Sequence, residues 1–89
     1  MTDEEKARLK RQGSYIRHLR EQQQMSLEAF ADRLDIYPNE LDAIEQGDIE
    51  ASDKVIKQLP DISNAYDVDM RNIFGKRWEK LKEKGAQAI

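Results

Sequence analysis

Apolar residues along this chain recur at three- and four-residue spacing, and helix is the only period that fits them. Tyr15, Ile16 and Leu19 fall on one narrow face of a first helix over residues 14–24, with Arg17, His18 and Arg20 around it. Ser26 is a good N-cap for a second helix, Glu28 sits in its favourable first turn, and Leu27, Phe30, Ala31 and Leu34 form its inner stripe. Asp35, Ile36 and Tyr37 must then make a tight turn, because Pro38 fits best at the first position of a third helix. That helix is short: Leu41 and Ile44 face inward and Gly47 closes it.

After a loop over 48–51, Ser52 can cap a fourth helix whose inner face is Val55, Ile56, Leu59 and Ile62. Pro60 removes a backbone donor there and clashes with the Ile56 carbonyl, so a kink or two short helices in series is expected. Asp69 can cap a fifth helix with Met70, Ile73 and Phe74 inward, and Trp78 and Leu81 extend its stripe if the chain passes Gly75 unbroken. Residues 85–89 read as disordered. At the other end, Thr2 and Glu5 have the form of a capping box, but residues 2–12 offer only Ala7 and Leu9 as apolar anchors. A solvated helical arm or a frayed tail is expected there, with the domain starting at Gly13. The division is thus a basic arm or extension over 1–12, a helical domain over 13–75 and a basic extension and tail over 76–89.

Composition narrows the class. With 89 residues there is room for one hydrophobic core, and without cysteine that core rests on apolar packing alone. No apolar run approaches the roughly 18 residues that span a bilayer, and the first residues lack the order of a secretion signal, so a cytoplasmic protein is expected, with no membrane partner. The net charge of -3 conceals an asymmetry. Residues 1–24 carry 6 basic and 4 acidic groups (+2), residues 25–75 carry 4 and 12 (-8), and residues 76–89 carry 5 and 2 (+3). A polyanion would be repelled by the middle and attracted only by the ends.

Two helices of about two turns joined by a short turn, within an all-α bundle of about five short helices, form a helix-turn-helix arrangement. The chain resembles the Cro/repressor-type (Xre) helix-turn-helix family over residues 13–74. Gly13, Ile16-Arg17, Leu19-Arg20, Met25 to Glu28, Phe30-Ala31, Leu34, Ile36, Leu41, Ile44-Glu45 and Gly47 carry the resemblance, followed by Tyr66, Val68, Met70 and Ile73-Phe74. It implies a lambda-repressor-like fold, a pairing of Arg20 with Glu45 that ties the third helix to the first, and a third helix lying in the major groove of DNA. The groove-facing positions it implies are Tyr37, Pro38, Asn39, Asp42, Ala43 and Gln46, with Ser26 and Leu27 at a phosphate site where the second helix starts. Leu27, Tyr37 and Asp42 depart from the residues usual in the family, Asp35 replaces its common turn glycine, and the link after Gly47 is longer than usual.

Enzyme readings fail on inventory. His18 is the only histidine, it points away from Ile16 and Leu19, and no nucleophile is paired with it. No metal-ligand spacing and no phosphate-cradling glycine loop occurs, so no cofactor is expected. Two function classes remain. The first is a small DNA-binding transcription regulator acting as a homodimer, with Lys6, Arg8, Lys10 and Arg11, or Lys76, Arg77, Lys80, Lys82 and Lys84, supplying phosphate attraction; Trp78 and Leu81 either mark the dimer face or, as readily, Trp78 folds back onto Tyr66 or Phe74 within one chain. The second is a helix-turn-helix fold serving as a protein-binding module through its acidic surface: between Ser26 and Gly47 there are 6 acidic groups and 1 basic group, Arg33. Residues 41–48 also resemble the cytoplasmic helix-turn-helix domain of the bacterial rod-shape family that binds an actin homologue.

Overall fold

Thr2, and not Ser14, opens the first helix. In the computed structural model, which describes residues 2–87, the Thr2 hydroxyl accepts from the Glu5 N–H at 3.2 Å, and α1 then runs Asp3–Gln22 without a break at Gly13. The stretch expected to be a solvated arm is held because Leu9, Gln12 and Gly13 are buried. Gly13 is needed for close approach: a Cβ there would collide with the Ile44 carbonyl oxygen and lie 2.6 Å from that of Glu45, so α1 rests its backbone on the end of the third helix.

The next two helices are α2 (Leu27–Leu34) and α3 (Pro38–Glu45). Ser26 caps α2 by accepting from the Ala29 N–H at 3.1 Å, and Pro38 takes the first turn of α3, where its missing N–H costs nothing. One device ends all three helices. Gln24, Asp35 and Gly47 adopt positive φ of 56, 58 and 80°, and the N–H of the residue after each returns to the helix: Met25 to the Arg20 carbonyl, Ile36 to Ala31 and Asp48 to Ala43, at 3.3, 3.0 and 2.9 Å. The turn between α2 and α3 is therefore the end of α2 itself, made sharp by a left-handed aspartate. The Lys54 ammonium reinforces it with bonds to the Asp35 carbonyl and carboxylate at 2.6 and 3.0 Å.

Of the kink or the two short helices expected at Pro60, the second does not occur: α4 (Asp53–Ile62) is one helix. Pro60 falls in its last turn, where few intrahelical bonds remain to be lost, and the Ser63 N–H and hydroxyl close the end on the Leu59 carbonyl. Helix α5 (Asp67–Phe74) begins before Asp69: Tyr66 holds the N-cap position without a side-chain bond, and Asp67 and Asp69 both lie in the first turn. Gly75, at φ 59° and ψ -131°, breaks the chain there, because that backbone region is open to glycine almost alone. Beyond it the chain forms a separate helix, α6 (Lys76–Gln87), so residues 85–87 are helical and only residues 88–89 of the expected tail lie outside the described residues.

The break at Gly75 changes the role of Trp78. Instead of extending the stripe of α5 into solvent, α6 turns back, and Trp78 is 9% exposed within the core. Its indole N–H donates to the Asp67 carboxylate at 2.9 Å. Leu81 packs against the same cluster. Of the two expected roles of Trp78, dimer face or return onto its own chain, the structure has the second. The core it joins is built from Ile16 and Leu19 of α1, Phe30 and Leu34 of α2, Leu41 and Ile44 of α3, Val55, Ile56 and Leu59 of α4, and Met70 and Phe74 of α5. Tyr15 meets Phe74 edge-on with ring centroids 6.2 Å apart. Among the described residues the fold is all-α, and no helix is long and apolar enough to cross a membrane.

Candidate nucleic-acid interface

Leu41, Ile44 and Glu45 turn α3 inward, and helical spacing then sends Pro38, Asn39, Asp42 and Gln46 outward, where all four are exposed. Ala43 is half-buried at the edge of that face. Tyr37 stands at the N-terminal end of α3, 77% exposed. Ser26 is exposed, its hydroxyl committed to the cap of α2, and Leu27 is half-buried against the core. The eight residues do not form one cluster. Leu27, Asp42 and Gln46 line a cleft together with Arg17, Arg20 and Glu45. Tyr37 borders a second cleft over the turn, with Asp32, Asp35, Ile36, Glu40, Ser52 and Lys54.

The Gln46 amide donates to both carboxylate oxygens of Asp42, at 3.1 and 3.0 Å. Asp42 thereby holds the long Gln46 side chain against α3. Asn39 is exposed and its side chain carries no such bond among the described residues.

Behind this face, Arg20 and Glu45 meet in a two-bond pair. The guanidinium donates to the two carboxylate oxygens at 2.8 and 3.0 Å and to the Met25 carbonyl at 3.0 Å. The hydrogen bond to Glu45 raises the Arg20 pKa above its ordinary value, outweighing the burial that opposes the charge. One side chain thus joins α1, the end of α3 and the link before α2, the pairing that the family resemblance implied.

The basic ends are partly occupied by the acidic loop between α3 and α4. Arg8 reaches Glu50 at 2.7 Å, and Arg77 reaches Glu50 at 3.3 Å, Asp53 at 2.8 Å and the Ala51 carbonyl at 2.8 Å. Lys82 pairs with Asp67 at 2.6 Å. These cations hold the carboxyls below their usual range: Arg8 first for Glu50, Arg77 for Asp53, and Lys82 followed by the Trp78 indole for Asp67. Of the basic residues named from sequence as phosphate ligands, Arg8, Arg77 and Lys82 are therefore engaged within the chain. The others form no ion pair among the described residues. Sequence reasoning missed Arg17 as a member of the α3 cleft, although its place three residues before Arg20 puts it on the same side of α1.

No curated protein and no solved structure gives a significant match to the chain. A family model described as a helix-turn-helix domain matches residues 15–56, from Tyr15 on α1 to Ile56 on α4. That span takes in α2, the left-handed turn at Asp35 and α3, so residues 15–56 are similar in sequence to a helix-turn-helix domain and have its helix, turn, helix order.

Proposed function

We propose that this protein is a small, sequence-specific DNA-binding transcription regulator of the Cro/repressor (Xre) type, which lays α3 in the major groove. The outward face of α3 carries the reading: Pro38, Asn39, Asp42 and Gln46 are all exposed, and no other described helix covers them. In this reading Asn39 bonds adenine with two hydrogen bonds, while Tyr37 and the start of α2 at Ser26 and Leu27 meet phosphates. Asp42 restrains Gln46 and, as a carboxylate, accepts best from the amino group of cytosine. Paired half-sites call for a homodimer, which must form on a face other than Trp78 and Leu81. The reading assigns no catalytic step, cofactor or metal, and puts the protein in the cytoplasm.

The engagement of Arg8, Arg77 and Lys82 by acidic groups favours a second reading, in which the same exposed face receives a protein. Titration of a labelled mixed-sequence duplex at two salt concentrations separates the two. Phosphate-driven association must weaken steeply as salt rises, by a slope that counts the contacts. Absence of binding at the lower salt refutes the DNA reading and leaves the protein module.

A further inference from the structure

A DNA reader needs positive charge beside the groove, and α3 has none on its outward face. The first helix has it. Lys6, Lys10 and Arg17 recur at i, i+4 and i+11 on one edge of α1, with Gly13 between them. That edge is the one that rests on α3. Gly13 meets the Ile44 and Glu45 carbonyls, and a Cβ on Gly47 would lie 2.9 Å from the Lys10 Cα. Further along, Arg17 lines the cleft that holds Leu27, Asp42 and Gln46. All three cations are exposed and form no ion pair among the described residues.

We infer that this edge of α1 is the phosphate-gripping surface of the protein. Lys10 and Arg17, with Lys6 beyond them, contact the backbone of duplex DNA beside the groove that α3 enters. The inference rests on the DNA reading and deepens it. Two features give it weight beyond a scatter of surface charge. The basic edge is held rigidly, because the buried Leu9, Gln12 and Gly13 fix the extended first half of α1 on the core. Lys6 and Lys10 also precede residue 15, where the helix-turn-helix match begins, so the extension adds charge that the matched segment lacks. Arg17 has a further effect. Standing in one cleft with Asp42, it offsets the carboxylate that would otherwise repel the backbone.

The test is fluorescence anisotropy of a labelled mixed-sequence duplex at two salt concentrations, with a thermal melt of every variant. Lys10→Gln/Arg17→Gln should weaken binding at the lower salt by about ten-fold and flatten the log–log salt slope by about 1.8, or about 0.9 per lost contact. Arg33→Gln/Lys57→Gln removes the same charge from exposed positions on α2 and α4 and should leave the slope in place. Lys10→Arg/Arg17→Lys should bind as the unaltered protein does. If Lys10→Gln disturbs the packing on Gly47 and the double variant does not melt cooperatively, Arg17→Gln alone must still flatten the slope by about 0.9. Equal flattening by the two Gln pairs, or an unchanged slope in the α1 pair, overturns the inference and leaves the DNA reading standing. An unaltered protein that does not bind at the lower salt removes both.

Discussion

Replacing Arg20 with alanine probes the joint on which the orientation of α3 depends. The Arg20 and Glu45 side chains are 15% and 5% exposed, so removal of the guanidinium strands a carboxylate that reaches almost no water. Taking one partner from a buried pair costs ~3–5 kcal/mol. The Met25 carbonyl loses its donor as well. Against that, the arginine end of the pair retains some solvent, which places the expected loss near the lower bound, about 3 kcal/mol. A domain of this length has about 4–13 kcal/mol of total stability, so Arg20→Ala takes a large share of it. At about 4–8 °C per kcal/mol, the melting temperature should fall by about 12 °C or more.

Urea titrations of a double-mutant cycle measure the joint directly. Glu45→Ala should cost less than Arg20→Ala, about 2 kcal/mol, because the guanidinium keeps its bond to Met25 and can reach solvent. The Arg20→Ala/Glu45→Ala double variant should lose less than the sum of the singles, with a coupling of about 2 kcal/mol. Arg17→Ala, three residues earlier and exposed, should stay within about 0.5 kcal/mol. Equal losses for Arg20→Ala and Arg17→Ala, or strict additivity in the cycle, would refute the view that this pair holds α3 to α1.

Gln24→Gly should stabilise the protein by about 0.5–1 kcal/mol, because Gln24 holds a φ of 56° that glycine adopts without penalty; a loss in a urea titration would count against this. Gly13→Ala should destabilise by about 1–3 kcal/mol despite alanine's higher helix propensity, since its methyl group has only the α3 carbonyls to meet; a higher melting temperature would show that α1 and α3 can part freely. In acid, Glu50, Asp53 and Asp67 have depressed pKa values. Their contribution is present above the ordinary carboxylate range, about pH 4, and is lost as pH falls through the folded values. Since all three anchor α6, Trp78 fluorescence should change before helical circular dichroism does, and coincident transitions would contradict that order. In base, the Tyr15 phenol is pushed up to about 12 by burial and then by Asp69. The stability it brings is complete below about pH 10 and is lost as pH climbs through about 12, so Tyr15→Phe should abolish that late component of the tyrosinate absorbance titration.

The parts of this fold that could be read from sequence are those settled by near neighbours along the chain. Ser26, Pro38 and Gly47 mark helix ends through bonds or φ values confined to a few residues, and the structure has each in that role. The glycines at 13 and 75 are the opposite case. Gly13 looked like a domain boundary and lies inside α1, because its purpose is to admit the carbonyls of Ile44 and Glu45, far away in sequence. Whether the helix passes Gly75 was open from sequence, and it breaks there because α6 gains more by burying Trp78 against Asp67 and the core than by prolonging α5. A helical wheel shows that Trp78 and Leu81 want cover but not what covers them. For the interface, the outward set on α3 came from the family resemblance, and in the structure Pro38, Asn39, Asp42 and Gln46 of that set are exposed. Arg17 and the neutralising grip of Arg8 and Arg77 on the loop depend on which helices lie side by side.

The same dependence resolves the charge conflict that the linear count creates. Residues 25–75 sum to -8, yet Glu45, Glu50, Asp53 and Asp67 each face a cation brought in from one of the ends: Arg20, Arg8, Arg77 and Lys82. Asp35 is met by Lys54 from within. At about 0.1 M salt, fields between exposed charges fade over about 10 Å, so a ligand at α3 responds to what stands nearby and not to the segment total. There Asp42 shares a cleft with Arg17, Glu40 lines the separate cleft over the turn, and Lys10 lies farther along α1 beside Gly47. Such a surface can hold a phosphate backbone at its rim while its centre repels it, and binding then depends on the centre finding base edges that accept from Asn39 or donate to Asp42. On the DNA reading, an acidic α3 flanked by a basic edge would accordingly bind nonspecific DNA weakly and gain discrimination from the repulsion itself.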